Sequence, residues 1–279
     1  MSLITFDFES RYLGNSQEVS ILMPDRPREQ DARDFYGNKR RYKVLWLLHG
    51  TFGDHTDWVR KSMIEIYARE KNLICVMPSG LNANYVNWNG FGTGYRMGDF
   101  LTEELMPLIY GWFPASDKKE DNYIAGLSMG GGGALKYILQ HPDKFAAGAI
   151  LSAPPVRAED ADWEGKDPQD RWGMCSPRFR NNVANAGGKE AYIHSIENTW
   201  RVIEEMFAAG TLPKLMFACG DKDSMYGSYL KFKREAEEKH MGCHFFELPN
   251  LAHEWRFWDP AIQEALKFFE IDEKGYSNF

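Results

Sequence analysis

Residues 121–140 read DNYIAGLSMGGGGALKYILQ, and this stretch decides the fold. Its first five residues, DNYIA, are typical of a short buried strand, and residues 134–140 have the pattern of a helix. Between them stands G-x-S-x-G, with Ser128 at its centre. On so tight a strand-to-helix turn, a serine is held in a strained conformation with its hydroxyl exposed. The positions two before and two after it are crowded, and both are glycine.

The rest of the chain alternates apolar runs with helical patterns. Period-2 segments predict two antiparallel strands at the start, and continuous apolar runs predict strands buried on both faces. The eight predicted strands are 3–8, 18–23, 44–48, 73–77, 121–126, 147–151, 215–219 and 244–248. Because the last six alternate with helices or crossovers, we predict an α/β fold with an eight-stranded, mostly parallel sheet flanked by helices.

Helical patterns connect these strands. The predicted helices are 63–70, 99–113, 131–140, 229–240 and 260–269. Asp259 is placed to cap the last of them, with Pro260 at its first position. Residues 24–42 are polar and are predicted to be a loop. Residues 153–212 are too long for a simple crossover, so we interpret them as a lid-like insertion over the active site of a single domain, residues 1–279.

Composition argues against several classes of function. The net charge is −7, whereas nucleic-acid binding requires clustered lysine and arginine. The first ten residues, MSLITFDFES, lack the basic and apolar regions of a signal peptide, and no stretch is long and apolar enough to span a membrane. The four cysteines form no C-x-x-C pair that would indicate zinc. We therefore expect a cytoplasmic protein without metal, cofactor, nucleic-acid or membrane partner, and leave homo-oligomerisation open.

A serine nucleophile needs two further side chains. A histidine takes its proton, and an acid holds that histidine in the right tautomer. In α/β-hydrolases, whose signature is G-x-S-x-G between a strand and a helix, the acid follows a late strand and the histidine follows the last one. Here Asp221 and Asp223 follow the seventh predicted strand, and His253 follows the eighth. We predict a triad of Ser128, Asp223 and His253, with Asp221 as the alternative acid, because a turn of about three residues carries a side chain over the sheet.

Serine catalysis also needs backbone N–H groups aimed at the carbonyl oxygen, where negative charge develops. One is expected from Met129, which follows Ser128 at the positive end of the next helix. The other is expected from Thr51, in the loop of residues 49–53 after the third predicted strand, where His49 is expected to brace the loop. Three aromatic residues are candidate walls of the substrate pocket, with plain packing as the alternative for each: Trp88, Tyr95 and Trp172.

With these residues, the chain resembles the putative esterase family of α/β-hydrolases, the esterase D and tributyrin esterase group, over most of its length. The matching stretches are LLHGTFGDHTDW (47–58), VMPSG (76–80), EELMPLI (103–109), YIAGLSMGGGGALKYILQHPDKFAAG (123–148), CGDKDSMY (219–226) and AHEWRFWD (252–259). The resemblance places the family's nucleophile, acid, base and two oxyanion donors on residues already predicted: Ser128, Asp223, His253, Thr51 and Met129. One departure is Gly133, a fourth glycine after the serine, where many relatives have Gly-x-Gly-Ala.

The resemblance implies a serine carboxylesterase that hydrolyses short-chain acyl esters through an acyl-enzyme and has a small ester as its substrate. Similar proteins cleave feruloyl or cinnamoyl esters, acetylated sugars such as acetyl-xylan, or S-formylglutathione, and these substrates stay open. The cysteine-bearing oxyanion loop expected of an S-formylglutathione hydrolase is missing, which disfavours the thioester. An acyltransferase with the same triad and a non-catalytic binding module on the same fold are also compatible with these residues.

Overall fold

The computed structural model describes residues 1–92, 94–170 and 172–271. In chain order its strands are β1 (Ser2–Ser10), β2 (Asn15–Met23), β3 (Val44–Leu48), β4 (Ile74–Pro78), β5 (Asn87–Trp88), β6 (Tyr95–Arg96), β7 (Asn122–Leu127), β8 (Ala147–Leu151), β9 (Lys214–Gly220) and β10 (His244–Leu248). The short β5 and β6 pair only with each other. The other strands form one eight-stranded sheet in the order β1-β2-β4-β3-β7-β8-β9-β10.

The direction of the strands positions the functional loops. In the eight-stranded sheet, β1 and β2 are antiparallel to their neighbours, and the other six strands run parallel to one another. The predicted eight-stranded α/β-hydrolase architecture is therefore confirmed. The ends of β7, β8 and β9 are in register, with Leu127 opposite Leu151 and Leu151 opposite Ala218. The loops that follow these strands consequently meet at one edge of the sheet, where ligands of open α/β sheets bind.

Helices cover both faces of the sheet. They are α1 (Ala32–Tyr36), α2 (Asp57–Lys61), α3 (Ile64–Glu70), α4 (Met97–Asp99), α5 (Met106–Trp112), α6 (Met129–Gln140), α7 (Pro177–Ala186), α8 (Lys189–His194), α9 (Thr199–Ala208), α10 (Tyr226–Glu238) and α11 (Trp255–Phe268), with a π-helical segment, Phe100–Leu105, joining α4 to α5. Alternate side chains of β3 enter different cores: Trp46 packs with α5 and α6, whereas Leu45 and Leu47 pack with α3 and α11. This two-sided burial explains the continuous apolar runs of the central strands.

The segment between β8 and β9 contains α7, α8 and α9 and has a small core of its own. Phe179, Val183 and Tyr192 are buried in it together with Ala158. Trp163 packs against this cluster from its edge. None of the helices in the described residues is both long and apolar enough to cross a membrane.

Two predictions of local structure are wrong. Residues 24–42 are not all loop, because they contain α1, whose first turn is capped by the side chain of Asp31. The last helix begins at Trp255 and encloses Pro260, so Asp259 does not cap it. Instead, the Asp259 carboxylate accepts hydrogen bonds from the backbone N–H of Met63 at 2.8 Å and from the Tyr67 hydroxyl at 3.0 Å. Asp259 thus bonds to α3 and to the residue just before it, and the Asp-Pro pair does not mark the start of the last helix.

Candidate active site

Ser128 lies between β7 and α6 in a backbone conformation that residues with a side chain seldom adopt, with φ 52° and ψ −119°. Its N–H donates to the carbonyl of Leu151 on the neighbouring strand at 2.8 Å. A Cβ added at Gly126 would lie 2.3 Å from the Gly130 carbonyl oxygen, and one at Gly130 would lie 2.4 Å from that of Leu48. Both glycines are therefore required by the close approach of β3, β7 and α6 around this turn.

His253, in the loop between β10 and α11, lies between two other side chains. Its Nε2 is 2.9 Å from Ser128 Oγ and its Nδ1 is 2.8 Å from Asp223 Oδ2, although these partners are 125 and 30 residues away in sequence. Because an ionised carboxylate only accepts, Nδ1 carries the proton and Nε2 is the acceptor for the serine hydroxyl. Trp258 packs edge-on against the imidazole, with ring centroids 5.0 Å apart. The three residues of the predicted triad are thus in one hydrogen-bonded chain.

The Asp223 carboxylate has no exposed surface. Burial alone would raise its pKa, but hydrogen bonds from His253, from the backbone N–H of Met225 and from the Ser152 hydroxyl outweigh that effect, so its pKa lies below the ordinary value. The bond from Met225 is 2.9 Å long. Asp223 therefore remains ionised at neutral pH even though it is buried.

Asp221 has a different role in the structure. Its carboxylate accepts from the backbone N–H of Asn250 at 2.7 Å, in the loop that leads to His253. The same two loops are joined by the N–H of Lys222, which donates to Leu251 O at 3.0 Å. Asp221 thus braces the loop that carries the histidine, and the contact with the imidazole is made by Asp223.

The loop of residues 49–53 lies directly against Ser128. A Cβ added at Gly50 would be 3.4 Å from Ser128 Cβ and 2.6 Å from a methyl carbon of Leu127. His49 braces this loop from within: its Nδ1 donates to Gly50 O, and its Nε2 accepts from Gly80 N–H, both at 2.7 Å.

Two backbone donors near Ser128 remain available. Within residues 1–92, 94–170 and 172–271, neither Thr51 N–H nor Met129 N–H makes a hydrogen bond. Met129 is the first residue of α6, so its N–H belongs to the unpaired, electropositive end of that helix. Such groups can bind an anion or a developing oxyanion.

A cavity of about 260 Å³ opens beside Ser128 and His253. One wall is a face of α6, from Met129 to Lys136. The opposite wall comes from the segment between β8 and β9 and includes Trp172. The cavity therefore lies between α6 and the segment interpreted from sequence as an insertion.

Trp88 and Tyr95, the other predicted pocket walls, do not line this cavity. Together with Leu81 and Phe91 they line a separate, open depression. Both residues belong to the β5–β6 pair, and Trp88 Nε1 donates to the carbonyl of Ala83 at 2.8 Å. These two residues are therefore not walls of the cavity beside Ser128. Aromatic character alone, on which the prediction rested, does not tell which cavity a ring lines.

Comparison with known proteins agrees with this geometry. The family model described as Putative esterase matches residues 10–269. The chain belongs to this family. An acetyl esterase of Caldicellulosiruptor saccharolyticus is 25% identical over 270 residues, which are 96% of this chain and 98% of that protein.

Two solved structures are similar over the whole fold. An S-formylglutathione hydrolase of Staphylococcus aureus is 26% identical with a TM-score of 0.76, over 96% of this chain and 98% of the other. The fluorophosphonate-binding serine hydrolase F of Staphylococcus aureus was solved with substrate bound. It is 25% identical with a TM-score of 0.74, over 98% of this chain and 99% of the other. Together with the family and the acetyl esterase, these likenesses support a serine hydrolase that acts on carboxylic esters.

The cavity of this esterase has a polar, charged side that was not predicted from sequence. Lys136 is buried, and its ammonium donates to Asn84 O at 2.7 Å and lies 3.4 Å from a carboxylate oxygen of Glu197. Asn182, from α7, is buried beside them. The sequence did contain one signal: Lys136 lies inside the apolar run ALKYILQ, where a lysine must find a buried partner.

No metal-binding arrangement accompanies these groups. In the three described ranges, no three or more His, Cys, Asp or Glu side chains lie close enough together to hold a metal ion.

Proposed function

We propose that the esterase hydrolyses carboxylic esters of short acyl chains, with Ser128 as nucleophile, His253 as general base and Asp223 as the acid that orients the imidazole. The observation that carries this proposal is the hydrogen-bonded chain from Asp223 through His253 to Ser128, with distances of 2.8 and 2.9 Å. His253 Nε2 takes the hydroxyl proton as Oγ attacks the ester carbonyl, and then gives it to the leaving alcohol. A water molecule activated by His253 releases the acid from the acyl-enzyme.

Thr51 N–H and Met129 N–H form the proposed oxyanion hole. Both donors are unpaired within the described residues, and Gly50, the residue before Thr51, lies against Ser128. Donors that are fixed before the reaction stabilise the developing negative charge without the cost of reorganisation. The position of Met129 at the start of α6 adds the favourable end of the helix dipole.

The size of the cavity supports a short acyl group. The cavity beside Ser128 has a volume of about 260 Å³, just below the roughly 300–1,000 Å³ that is usual for ligand pockets. We assign residues 153–212 as a lid-like insertion of a single domain, because Trp172 and neighbouring residues of this segment close the cavity. The similarity to an acetyl esterase supports the same substrate size.

A carbohydrate ester is the second candidate substrate. Lys136, Glu197 and Asn182 place donors and acceptors along the cavity. The lysine and the carboxylate compensate each other's charge. A neutral group rich in hydroxyls, such as an acetylated sugar, suits such a surface better than a long apolar chain does.

A substrate panel tests these proposals directly. We expect p-nitrophenyl acetate and butyrate to be cleaved faster than the octanoate. Under the same conditions, hydrolysis of acetylated xylo-oligosaccharides is compared with that of methyl ferulate and S-formylglutathione. Added alcohols distinguish an acyltransferase, which would transfer the acyl group rather than release the acid. Absence of both ester hydrolysis and fluorophosphonate labelling would contradict the proposal and favour a binding module.

The cellular setting stays a prediction. A cytoplasmic location agrees with the free thiols of the described cysteines, of which Cys75 and Cys219 are buried. Burial raises the pKa of both thiols, so they are poor nucleophiles and act as small apolar groups.

A further inference from the structure

Arg178, in the first turn of α7, connects the segment between β8 and β9 to the loop beside Ser128. Its Nη1 donates to Thr51 Oγ1 at 3.0 Å. Its Nε and Nη2 donate to the side-chain oxygen of Asn84 at 3.0 and 2.5 Å. One guanidinium therefore joins a residue of the proposed oxyanion hole to a buried residue of the cavity wall.

Asn84 is a hydrogen-bond acceptor for Arg178 that is itself held in place by other contacts. Its side-chain amide donates to Asn182 Oδ1 of α7 at 2.8 Å, and its carbonyl accepts from Lys136 of α6 at 2.7 Å. Its own backbone is in the left-handed region, with φ 54°, a conformation that asparagine tolerates better than most residues. Contacts with two helices thus hold the acceptor of Arg178 in place.

Thr51, by contrast, belongs to an exposed part of the 49–53 loop. The next residue, Phe52, is 92% exposed and has φ 64°. The outer loop is tied by Gly53 N–H to Gly50 O at 3.2 Å and by Phe52 N–H to Asn82 at 2.9 Å. The hydrogen bond from Arg178 adds a contact to the side chain of Thr51, the residue whose backbone N–H is the proposed oxyanion donor.

We propose that Arg178 is a positioning residue for ester hydrolysis: anchored on Asn84, it holds Thr51 so that the backbone N–H of Thr51 stays aimed at the oxyanion. This inference rests on the proposed function. Stabilisation of an oxyanion depends on donors held within fractions of an ångström of their productive place. Loss of the tie therefore weakens transition-state stabilisation more than ground-state binding.

The test compares Arg178→Met, Thr51→Val and the double variant. Thr51→Val removes the acceptor but keeps the backbone N–H. For p-nitrophenyl acetate we expect each single variant to lower kcat about 5-fold, the scale of one hydrogen bond, with KM changed less than about 2-fold. The double variant should be no slower than Arg178→Met, because the contact with Thr51 is already lost in that single variant. The second-order rate constant of fluorophosphonate labelling should fall by the same factor in these variants. Thr51→Ser, which keeps the hydroxyl that accepts from Arg178, should have wild-type activity.

Arg180→Met is the matched control. Arg180 lies in the same helix but donates to the carbonyls of Met174 and Cys175, at 2.8 and 2.9 Å, away from the 49–53 loop. An equal loss of kcat in Arg180→Met would show that loosening of α7 explains the effect and would overturn the proposal. The proposal would also be overturned by any of three other results: a change confined to KM, additive losses of kcat in the double variant, or wild-type rates in Arg178→Met. Failure of the proposed function itself is distinguished by a wild-type protein that shows neither hydrolysis nor labelling.

Discussion

Asp223 contacts His253 through a carboxylate that is wholly buried, at 2.8 Å from Nδ1. Asp221, two residues earlier, bonds Asn250 N–H instead. We expect Asp223→Asn to lower kcat about 10⁴-fold, because an amide cannot hold the imidazole in the required tautomer as the carboxylate does. Steady-state kinetics of Asp221→Asn provides the control, with an expected loss below about 10-fold. The reverse order of the two variants would reassign the acid.

Removal of either residue that handles the hydroxyl proton should nearly abolish turnover. Ser128→Ala lacks the nucleophile, and His253→Ala lacks the base that lies 2.9 Å from Ser128 Oγ. We expect each to lower kcat by at least about a thousandfold. Fluorophosphonate labelling followed by mass spectrometry should locate the adduct on Ser128 in the wild type and find none in Ser128→Ala. An adduct on another residue would contradict the assignment.

The lowered pKa of Asp223 predicts how stability changes with pH. Burial works against the ionised form, but the hydrogen bonds to it prevail, so the pKa is lower in the folded chain than the ordinary value of 3.8. The stabilisation is therefore fully present above about pH 4 and is lost as the pH falls through the lowered pKa. In urea unfolding, the difference in free energy between wild type and Asp223→Asn should shrink from pH 5 to pH 3. A difference that stays constant between these pH values would show that Asp223 is not stabilised as an ion. Ser128→Ala, which keeps the carboxylate, is the control, and its difference from wild type should not shrink in this way.

Features encoded by neighbouring residues were predictable from the sequence. Val44–Leu48 and Ala147–Leu151 form strands with the predicted bounds, because a strand buried on both faces must be apolar throughout. The convergence of Asp223 and His253 on Ser128 follows from parallel strands, whose carboxyl ends share one edge. Both aspartates follow the same strand, and the turn of about three residues after that strand was the signal that favoured Asp223 over Asp221.

Features that depend on contacts between distant residues were not predictable. Asp259 does not cap α11, and Met63 and Tyr67, almost two hundred residues earlier, provide its partners. The contact of Arg178 with Asn84 joins residues 94 apart in sequence and has no periodic signature. Polar contacts across the cavity are set by the path of the segment between β8 and β9, which hydrophobic patterning does not determine.

Gly133, the fourth glycine after Ser128, is required by the ring of Tyr85. A Cβ added at Gly133 would lie 2.5 to 2.9 Å from atoms of Tyr85, which is 2% exposed. The Tyr85 hydroxyl is also held, since it donates to His49 O at 3.1 Å. The ring therefore cannot retreat without disturbing the loop beside Ser128.

We consequently expect Gly133→Ala to lower the free energy of unfolding by about 1–3 kcal/mol, the usual cost of overpacking a core. Gly132→Ala is the matched control for stability, because a Cβ there meets nothing within 4 Å in the described structure. In a helix interior that replacement should raise stability by about 0.5–1 kcal/mol. Urea unfolding of both variants measures the difference. If Gly133→Ala proved as stable as Gly132→Ala, the Tyr85 ring would have to be movable. The conclusion that Tyr85 is held in place by its hydrogen bond to His49 O would then be wrong.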